Sequence, residues 1–284
     1  MRIGSVEVGD GHPCYIVAEI GINHNGSVEQ AIQLIAAAHA AGCNAVKFQK
    51  RTVDAVYTKE ELDKPRESEF GHTNGDLKRG LEFDVKEYWQ IHRYCQSVGM
   101  TWFASPWDGM SVDFLAQFDP PCYKVASACL TDDDLLEYIA YKSKPVILST
   151  GMSTLEQIDH AVEFFDRDRL ILLHCTSTYP AWGIELNLRT IPELRKRYNV
   201  PVGYSGHELG VASTVAAVAL GACVVERHIT LSRELWGSDQ SASLEPDELN
   251  ELVRDIRFVE AAMGDGVKRV YEREIPIMQK LRRQ

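Results

Sequence analysis

A chain of 284 residues that is 45% hydrophobic can bury a large core, either as one α/β barrel or as two smaller domains. Its formal net charge of −11 argues against a general affinity for nucleic acid or an anionic membrane surface, so an anionic ligand must be met by a few placed cations. Seven cysteines, none at C-x-x-C spacing, read as reduced thiols of a cytoplasmic protein, and neither a basic leader nor a run of about eighteen apolar residues marks the chain for secretion or membrane insertion.

The opening residues MRIGSVEVGDGH alternate apolar and polar side chains around a Gly-Asp-Gly turn, which predicts a hairpin over residues 1–13 closing the bottom of a barrel. From Cys14 onward, eight short β-rich runs follow in order: CYIVAEIG, NAVKFQ, TWFASPW, CYKVAS, PVILSTG, LILLHCT, VPVGYSG and CVVERHI. Helical patterns separate them at Val28–Ala41, Val85–Val98, Asp132–Tyr141, Leu155–Phe165, Ile191–Tyr198 and Val211–Leu220, and Glu245–Ala262 follows the last run. Strands that are apolar on both faces and alternate with helices predict a (β/α)8 TIM barrel over residues 14–270, with 271–284 as a tail. An open doubly wound sheet is the competing arrangement. A polar insertion, Arg51–Phe83, follows the second run; a connection of that length on the C-terminal side of a barrel strand reads as an active-site loop or lid.

Barrel chemistry gathers at the C-terminal ends of the strands. There the chain places Glu19, Lys47, Gln49, Ser105, Lys124, Ser127, Ser149, Thr150, His174, Thr176, Ser177, Ser205, His207, Glu226, Arg227 and His228. Lys47 and Lys124 stand inside apolar runs, where an unpaired ammonium is costly, so they point to an anion. Lysines with serines and helix N-termini suit a phosphorylated substrate, although a serine or threonine at a strand end also serves as an ordinary helix cap. His207 and His228 stand at matching places in consecutive units. Two imidazoles without a neighbouring cysteine suit Mn²⁺, Zn²⁺ or Co²⁺ with positions left open for water and substrate. Of the adjacent pair Glu226 and Arg227, strand alternation sends one inward and the other outward.

The stretches VAEIGINHNGS, AVKFQK, PVILSTGMST, LLHCTSTYP, VGYSGHELG and VVERHITL, followed by GSDQSASLEP, resemble the sialic acid synthase family from about Tyr15 to Leu281. These enzymes join phosphoenolpyruvate to an aldose to make nine-carbon 2-keto-3-deoxy sugar acids. The resemblance implies a divalent metal, usually Mn²⁺, on His207 and His228, and a phosphoenolpyruvate pocket of Lys47, Ser105, Lys124, Ser127, Ser149 and Ser205, with Ser177 where bacterial members often carry Asn. It implies acceptor contacts at Gln49, Tyr179 and Asp239, and Glu19 as the carboxylate that orients or deprotonates a water. The acceptor implied is an N-acetylmannosamine-like aldose, free or 6-phosphorylated, or a related hexose. Legionaminate, pseudaminate and Kdn synthases, a pyruvate-dependent metal aldolase and a non-catalytic sugar-binding barrel are the alternatives.

Two departures stand out. Family members place an acidic residue two positions beyond the serine of strand four, to reach the acceptor, where this chain has Cys129. The family also commonly continues into a small antifreeze-like domain about where this chain ends in KLRRQ, so the barrel mouth is expected to be covered by Arg51–Phe83 as a lid that includes Arg79 and Asn74, the latter an acceptor contact. Barrels of this kind usually dimerise, and a homodimer is the implied assembly.

Overall fold

A computed structural model describes residues 1–283. The chain opens with a two-stranded antiparallel hairpin, β1 (Arg2–Ile3) and β2 (Val6–Glu7). Its turn is Gly4-Ser5, not the Gly-Asp-Gly expected from the sequence, which instead leads toward the first barrel strand. Eight parallel strands follow: β3 (Tyr15–Gly21), β4 (Ala45–Lys50), β7 (Thr101–Pro106), β8 (Tyr123–Val125), β9 (Val146–Ser149), β10 (Leu170–Cys175), β11 (Val202–Gly206) and β12 (Val224–His228). They form one sheet ordered β7-β4-β3-β12-β11-β10-β9-β8, and its two end strands pack against each other, curling the sheet into the expected barrel.

The outer helices are α1 (Val28–Ala41), α5 (Val85–Val98), α6 (Gly109–Ala116), α7 (Asp133–Tyr141), α8 (Leu155–Val162), α9 (Thr190–Tyr198), α10 (Ala212–Ala219) and α11 (Pro246–Met263). Helix α6 did not stand out in the sequence because GMSVDFLA is short and opens on glycine; Asp108 starts it by accepting from the Ser111 amide. The last barrel helix stops at Met263, short of the expected limit at residue 270, and the short α12 (Ile275–Leu281) buries none of its residues. Among the described residues no helix is long and apolar enough to cross a membrane.

The insertion is not an open loop. It folds into α2 (Val53–Val56), α3 (Lys59–Leu62), an antiparallel hairpin of β5 (Pro65–Ser68) and β6 (Gly71–Thr73), and α4 (Asn74–Gly80). Its two ends are tied together by Glu82, which receives Lys50 Nζ at 3.0 Å and Arg51 Nη1 at 3.4 Å. Phe70 at the hairpin tip packs edge-on against Trp236 in the segment after β12, ring centres 6.0 Å apart, so the insertion reaches across the barrel mouth.

Inside the barrel, period-two alternation builds one apolar cluster, more than one layer deep, from Tyr15, Val17, Ala45, Phe103, Cys122, Ile147, Ile171, Leu173 and Val224. Ile3 and Val8 of the N-terminal segment join this cluster from below and seal it. Ile3 is fully buried there, so Ile3→Ala is expected to lower the stability of the protein by about 2–4 kcal/mol in urea unfolding. A loss below about 0.5 kcal/mol would show that the hairpin does not plug the barrel.

Candidate active site

Moving two residues further along each inward face replaces hydrocarbon with polar groups: Glu19 after Val17, Lys47 after Ala45, Ser105 after Phe103, Lys124 after Cys122, Ser149 after Ile147, Cys175 after Leu173 and Glu226 after Val224. With Gln49, Ser127, Ser177, Tyr179, Ser205, His207 and His228, these side chains line one cavity of about 260 Å³ at the C-terminal end of the barrel. A larger groove of about 960 Å³ runs between α8 and α9 and shares Met152, Cys175 and Ser177 with this cavity. It holds neither lysine nor either inward-facing histidine, so the chemistry belongs to the smaller space.

Four ionisable side chains occupy the cavity floor. Lys47 Nζ lies 2.9 Å from Glu19 Oε2, 3.5 Å from Glu226 Oε1 and 3.1 Å from Ser105 Oγ. Lys124 Nζ donates to Ser149 Oγ at 2.6 Å and to the Val125 carbonyl at 3.0 Å. Burial pushes the Glu19 carboxyl up, as does the charge of Glu226, against the pull of Lys47. Burial works against the charge of Lys47 but is outweighed by Glu19 and Glu226, which raise it; burial lowers Lys124, only partly offset by Glu226. For Glu226 burial is outweighed by the two lysines, which hold the carboxyl low. The Lys47 ammonium is shared between two carboxylates, whereas Lys124 bonds only a hydroxyl and a carbonyl, so the Lys124 side of the cavity is the one suited to an anion.

Two further hydroxyls, those of Ser127 and Ser177, converge on Gly151. The Gly151 amide donates to Ser127 Oγ at 3.1 Å, and a Cβ at position 151 would stand 2.2 Å from Ser177 Oγ, 2.8 Å from Ser127 Oγ and 3.2 Å from Cys175 Sγ. Glycine is required for these groups to converge.

Across the cavity the His207 and His228 rings lie 5.5 Å apart. His207 Nδ1 is 2.7 Å from the Thr176 carbonyl, which can only accept, so the ring proton sits on Nδ1 and Nε2 offers its lone pair; the Tyr179 hydroxyl donates to it at 2.8 Å. His228 Nδ1 is buried without a hydrogen-bond partner, 3.8 Å from Asp239 Oδ2, and burial holds its ring well below the usual imidazole range. A fixed tautomer on one ring and an orphaned buried nitrogen on the other fit a divalent cation. Among the described residues no three His, Cys, Asp or Glu side chains converge on one point, so such an ion would complete its shell with water or substrate.

Several expected residues lie elsewhere. Cys129 ends a single 3-10 turn, Ser127–Cys129, and faces the outer side with Asp108, Asp132 and Tyr138, where burial pushes its thiol up to about 12. Asn74 is consumed inside the insertion, donating to the Glu61 carbonyl and to its Oε1, both at 3.2 Å. Arg79 pairs with Asp54 within the insertion. Asp239 stands beside His228 but outside the cavity wall. His174 points outward and donates to the Leu186 carbonyl at 2.6 Å. Glu226, whose face the sequence leaves open, and Cys175 both line the cavity; counting back two from His228 turns the first inward, whereas Cys175 reads as one more apolar residue.

The sequence pattern of the NeuB family matches residues 34–268. The chain is 42% identical over 279 residues to N-acetylneuraminate-9-phosphate synthase of Homo sapiens, covering 96% of this chain and 78% of that one. It is 35% identical to N,N'-diacetyllegionaminic acid synthase of Legionella pneumophila, covering 97% and 80%. The crystal structure of N-acetylneuraminic acid synthetase from Leptospira borgpetersenii in complex with citrate superposes with a TM-score of 0.87 at 31% identity, over 100% of this chain and 98% of that one.

If the cavity receives an anion between Lys124 and the serines, Gly151→Ala must weaken it. The dissociation constant of phosphoenolpyruvate or inorganic phosphate, measured by titration calorimetry, is expected to rise at least tenfold, about 1.4 kcal/mol, with little change in melting temperature. An unchanged constant would place the anion elsewhere.

Proposed function

The chain belongs to the NeuB family and is a carbon–carbon bond-forming enzyme, and we propose that it condenses phosphoenolpyruvate with an N-acetylmannosamine-like aldose, free or 6-phosphorylated, to a nine-carbon 2-keto-3-deoxy sugar acid and phosphate. The observation that carries this reading is one cavity in which two buried lysine–serine pairs, Lys47 with Ser105 and Lys124 with Ser149, face two imidazoles. Phosphate monoester and carboxylate are the two anionic ends of phosphoenolpyruvate, and two separate cations suit them. The relatives at 42% and 35% identity are named for nonulosonate products, which supports the same class of acceptor.

In this reading Lys124, Ser127, Ser149 and Ser177 hold the phosphate, while Lys47, Ser105 and Ser205 hold the carboxylate. Held there, phosphoenolpyruvate presents its C3 to C1 of the open-chain sugar. His207 and His228 would hold the divalent ion, Mn²⁺ in this proposal, which when bound supplies Lewis acidity toward the sugar aldehyde. Tyr179 and Gln49, with Asp239 at the rim, contact the acceptor. As the C3–C1 bond forms, positive charge develops at C2 of the former phosphoenolpyruvate. Glu19, hydrogen-bonded to Gln49 Nε2 at 3.0 Å, directs water to C2 and takes its proton. The proton taken by Glu19 balances the one that the former aldehyde oxygen, left as an alkoxide by the attack, must gain to become a hydroxyl. The tetrahedral C2 then expels phosphate by cleavage of its C–O bond as its new hydroxyl gives up the second proton of the water, leaving the 2-keto group.

Release of inorganic phosphate from phosphoenolpyruvate, followed with Mn²⁺ across a panel of aldoses and their 6-phosphates, tests the proposal. Turnover is expected with at least one N-acylated hexosamine. No phosphate with any acceptor would refute it, and condensation with free pyruvate instead would establish a metal aldolase.

Glu19→Gln is expected to lower kcat about 10²–10⁴-fold. Because burial raises the Glu19 carboxyl, the wild-type rate should fall with decreasing pH through a limb above the ordinary carboxylate range, as the base becomes protonated. That limb should vanish in the variant. A variant retaining both rate and limb would assign the proton transfer to another group.

A further inference from the structure

The two imidazoles that face each other across the cavity are not joined by the sheet. The ladder between β11 and β12 ends at Gly206 opposite Arg227, and His207 and His228 each lie one residue beyond it. His228 stays in register with Glu19 of β3, and its carbonyl accepts the Leu244 amide at 2.8 Å. His207 begins a turn. Its contacts with Thr176 and with the Ala181 amide tie it toward β10, away from its partner histidine.

What joins the two sides lies on the outer face, behind the imidazoles. Arg227, 1% exposed, spreads its guanidinium under the turn that follows His207. Its Nη2 donates to the Glu208 carbonyl at 2.6 Å, and its Nη1 to the Gly210 carbonyl at 2.9 Å, to Thr214 Oγ1 at 2.7 Å and to Glu208 Oε1 at 3.2 Å. The Glu208 carboxylate is held in turn by Ser213 at 2.7 Å, Thr214 at 3.0 Å and Tyr204 at 2.8 Å. Contact with the strand is direct: a Cβ on Gly206 would stand 2.7 Å from Glu208 Oε2 and 3.0 Å from Arg227 Cδ. Only a planar fork reaches two carbonyls and a carboxylate from one side chain; a lysine ammonium does not.

Arg227 precedes His228 and Glu208 follows His207, so this buried pair fastens the backbone of one histidine to that of the other. We propose that the Arg227–Glu208 pair is a positioning device that sets the spacing of His207 and His228 and thereby the affinity of the site for a divalent cation. This rests on the two-imidazole reading above. Neither residue touches substrate or ion; both act through the backbone.

The test uses Arg227→Lys and Glu208→Gln in the full chain, with Mn²⁺ affinity, phosphoenolpyruvate affinity without metal, and the imidazole NMR signals of His207 and His228 in metal-free protein as readouts. In variants that remain folded by circular dichroism, the Mn²⁺ dissociation constant is expected to rise about 10–100-fold, the loss usual when a group supporting a metal ligand is removed. Phosphoenolpyruvate affinity should change less than about threefold, which separates a shifted histidine pair from general loosening; the fold-range follows the usual scatter of distant substitutions. The imidazole signals should shift or broaden. If Arg227→Lys does not fold, Glu208→Gln decides, since it keeps the Glu208 carbonyl and the side-chain shape. Wild-type Mn²⁺ affinity and unmoved imidazole signals in a folded variant would overturn the proposal. If the wild-type protein binds no divalent ion, the ion reading fails, and the imidazole signals alone decide whether the pair positions the histidines.

Discussion

Two lysines and two glutamates, buried together where a barrel ordinarily continues its hydrocarbon, are the constraint on which the site depends. Lys47 and Lys124 are 3% and 2% exposed and Glu19 is 0% exposed, so none of these charges is hydrated from bulk water. An isolated buried ion is prohibitively costly, and even a paired one often fails to recover its desolvation. The chain meets this with alternating sign: Lys47 lies between Glu19 and Glu226, while Lys124 is held by a serine hydroxyl and a backbone carbonyl. The balance is incomplete. Glu226 Oε2 has no hydrogen-bond partner, and Lys124, with no carboxylate in hydrogen-bond reach, is held low by burial, a cost that a bound anion relieves. A site that is electrostatically unfinished without its ligand is expected of binding energy reserved for substrate rather than for folding.

That arrangement was largely legible from one rule, alternation along strands whose ends face one opening. Glu19, Lys47, Lys124 and the serines interrupt apolar runs, and an interruption of that kind has few structural explanations. Cys175 is not legible because a thiol in LLHC does not interrupt anything, yet it stands 3.8 Å from His207 Nδ1, so the expected imidazole pair does have a neighbouring cysteine. Glu226 and Arg227 were both visible, but their faces could be told apart only by fixing His228 as inward first. The barrel itself was legible because eight apolar runs alternated with helices. Helix α6 was the exception, too short to show a periodicity of its own.

Outside the strands that rule gives no direction, and the errors gather there. Cys129 lies two positions past the inward Ser127, but the chain has already left the strand and turned through a 3-10 step, so counting by twos no longer predicts a face. Asn74 lies in a segment whose structure is set by contacts distant in sequence, with Glu61 on one side and the Phe70–Trp236 packing on the other. The length and polar composition of Arg51–Phe83 read as an active-site loop or lid, without showing that it has a structure of its own. The Lys50 and Arg51 bonds to Glu82 close its ends and make it a small folded unit that packs Phe70 on Trp236.

One strand shows how the two faces divide the work. Along β12, Glu226 points inward to the lysines, Arg227 outward to the turn after His207, and His228 inward to the opposite imidazole. The inward groups must tolerate exchange of ligand, and their charges are only partly compensated. The outward arginine has no ligand to meet. It is spent on the Gly210 carbonyl and the Thr214 hydroxyl, with Glu208 neutralising it. Placing the partly compensated charges on one face and the satisfied ones on the other separates the groups that line the cavity from those that brace its wall. The alternation that makes a strand readable in sequence is also what separates holding from reacting in this protein.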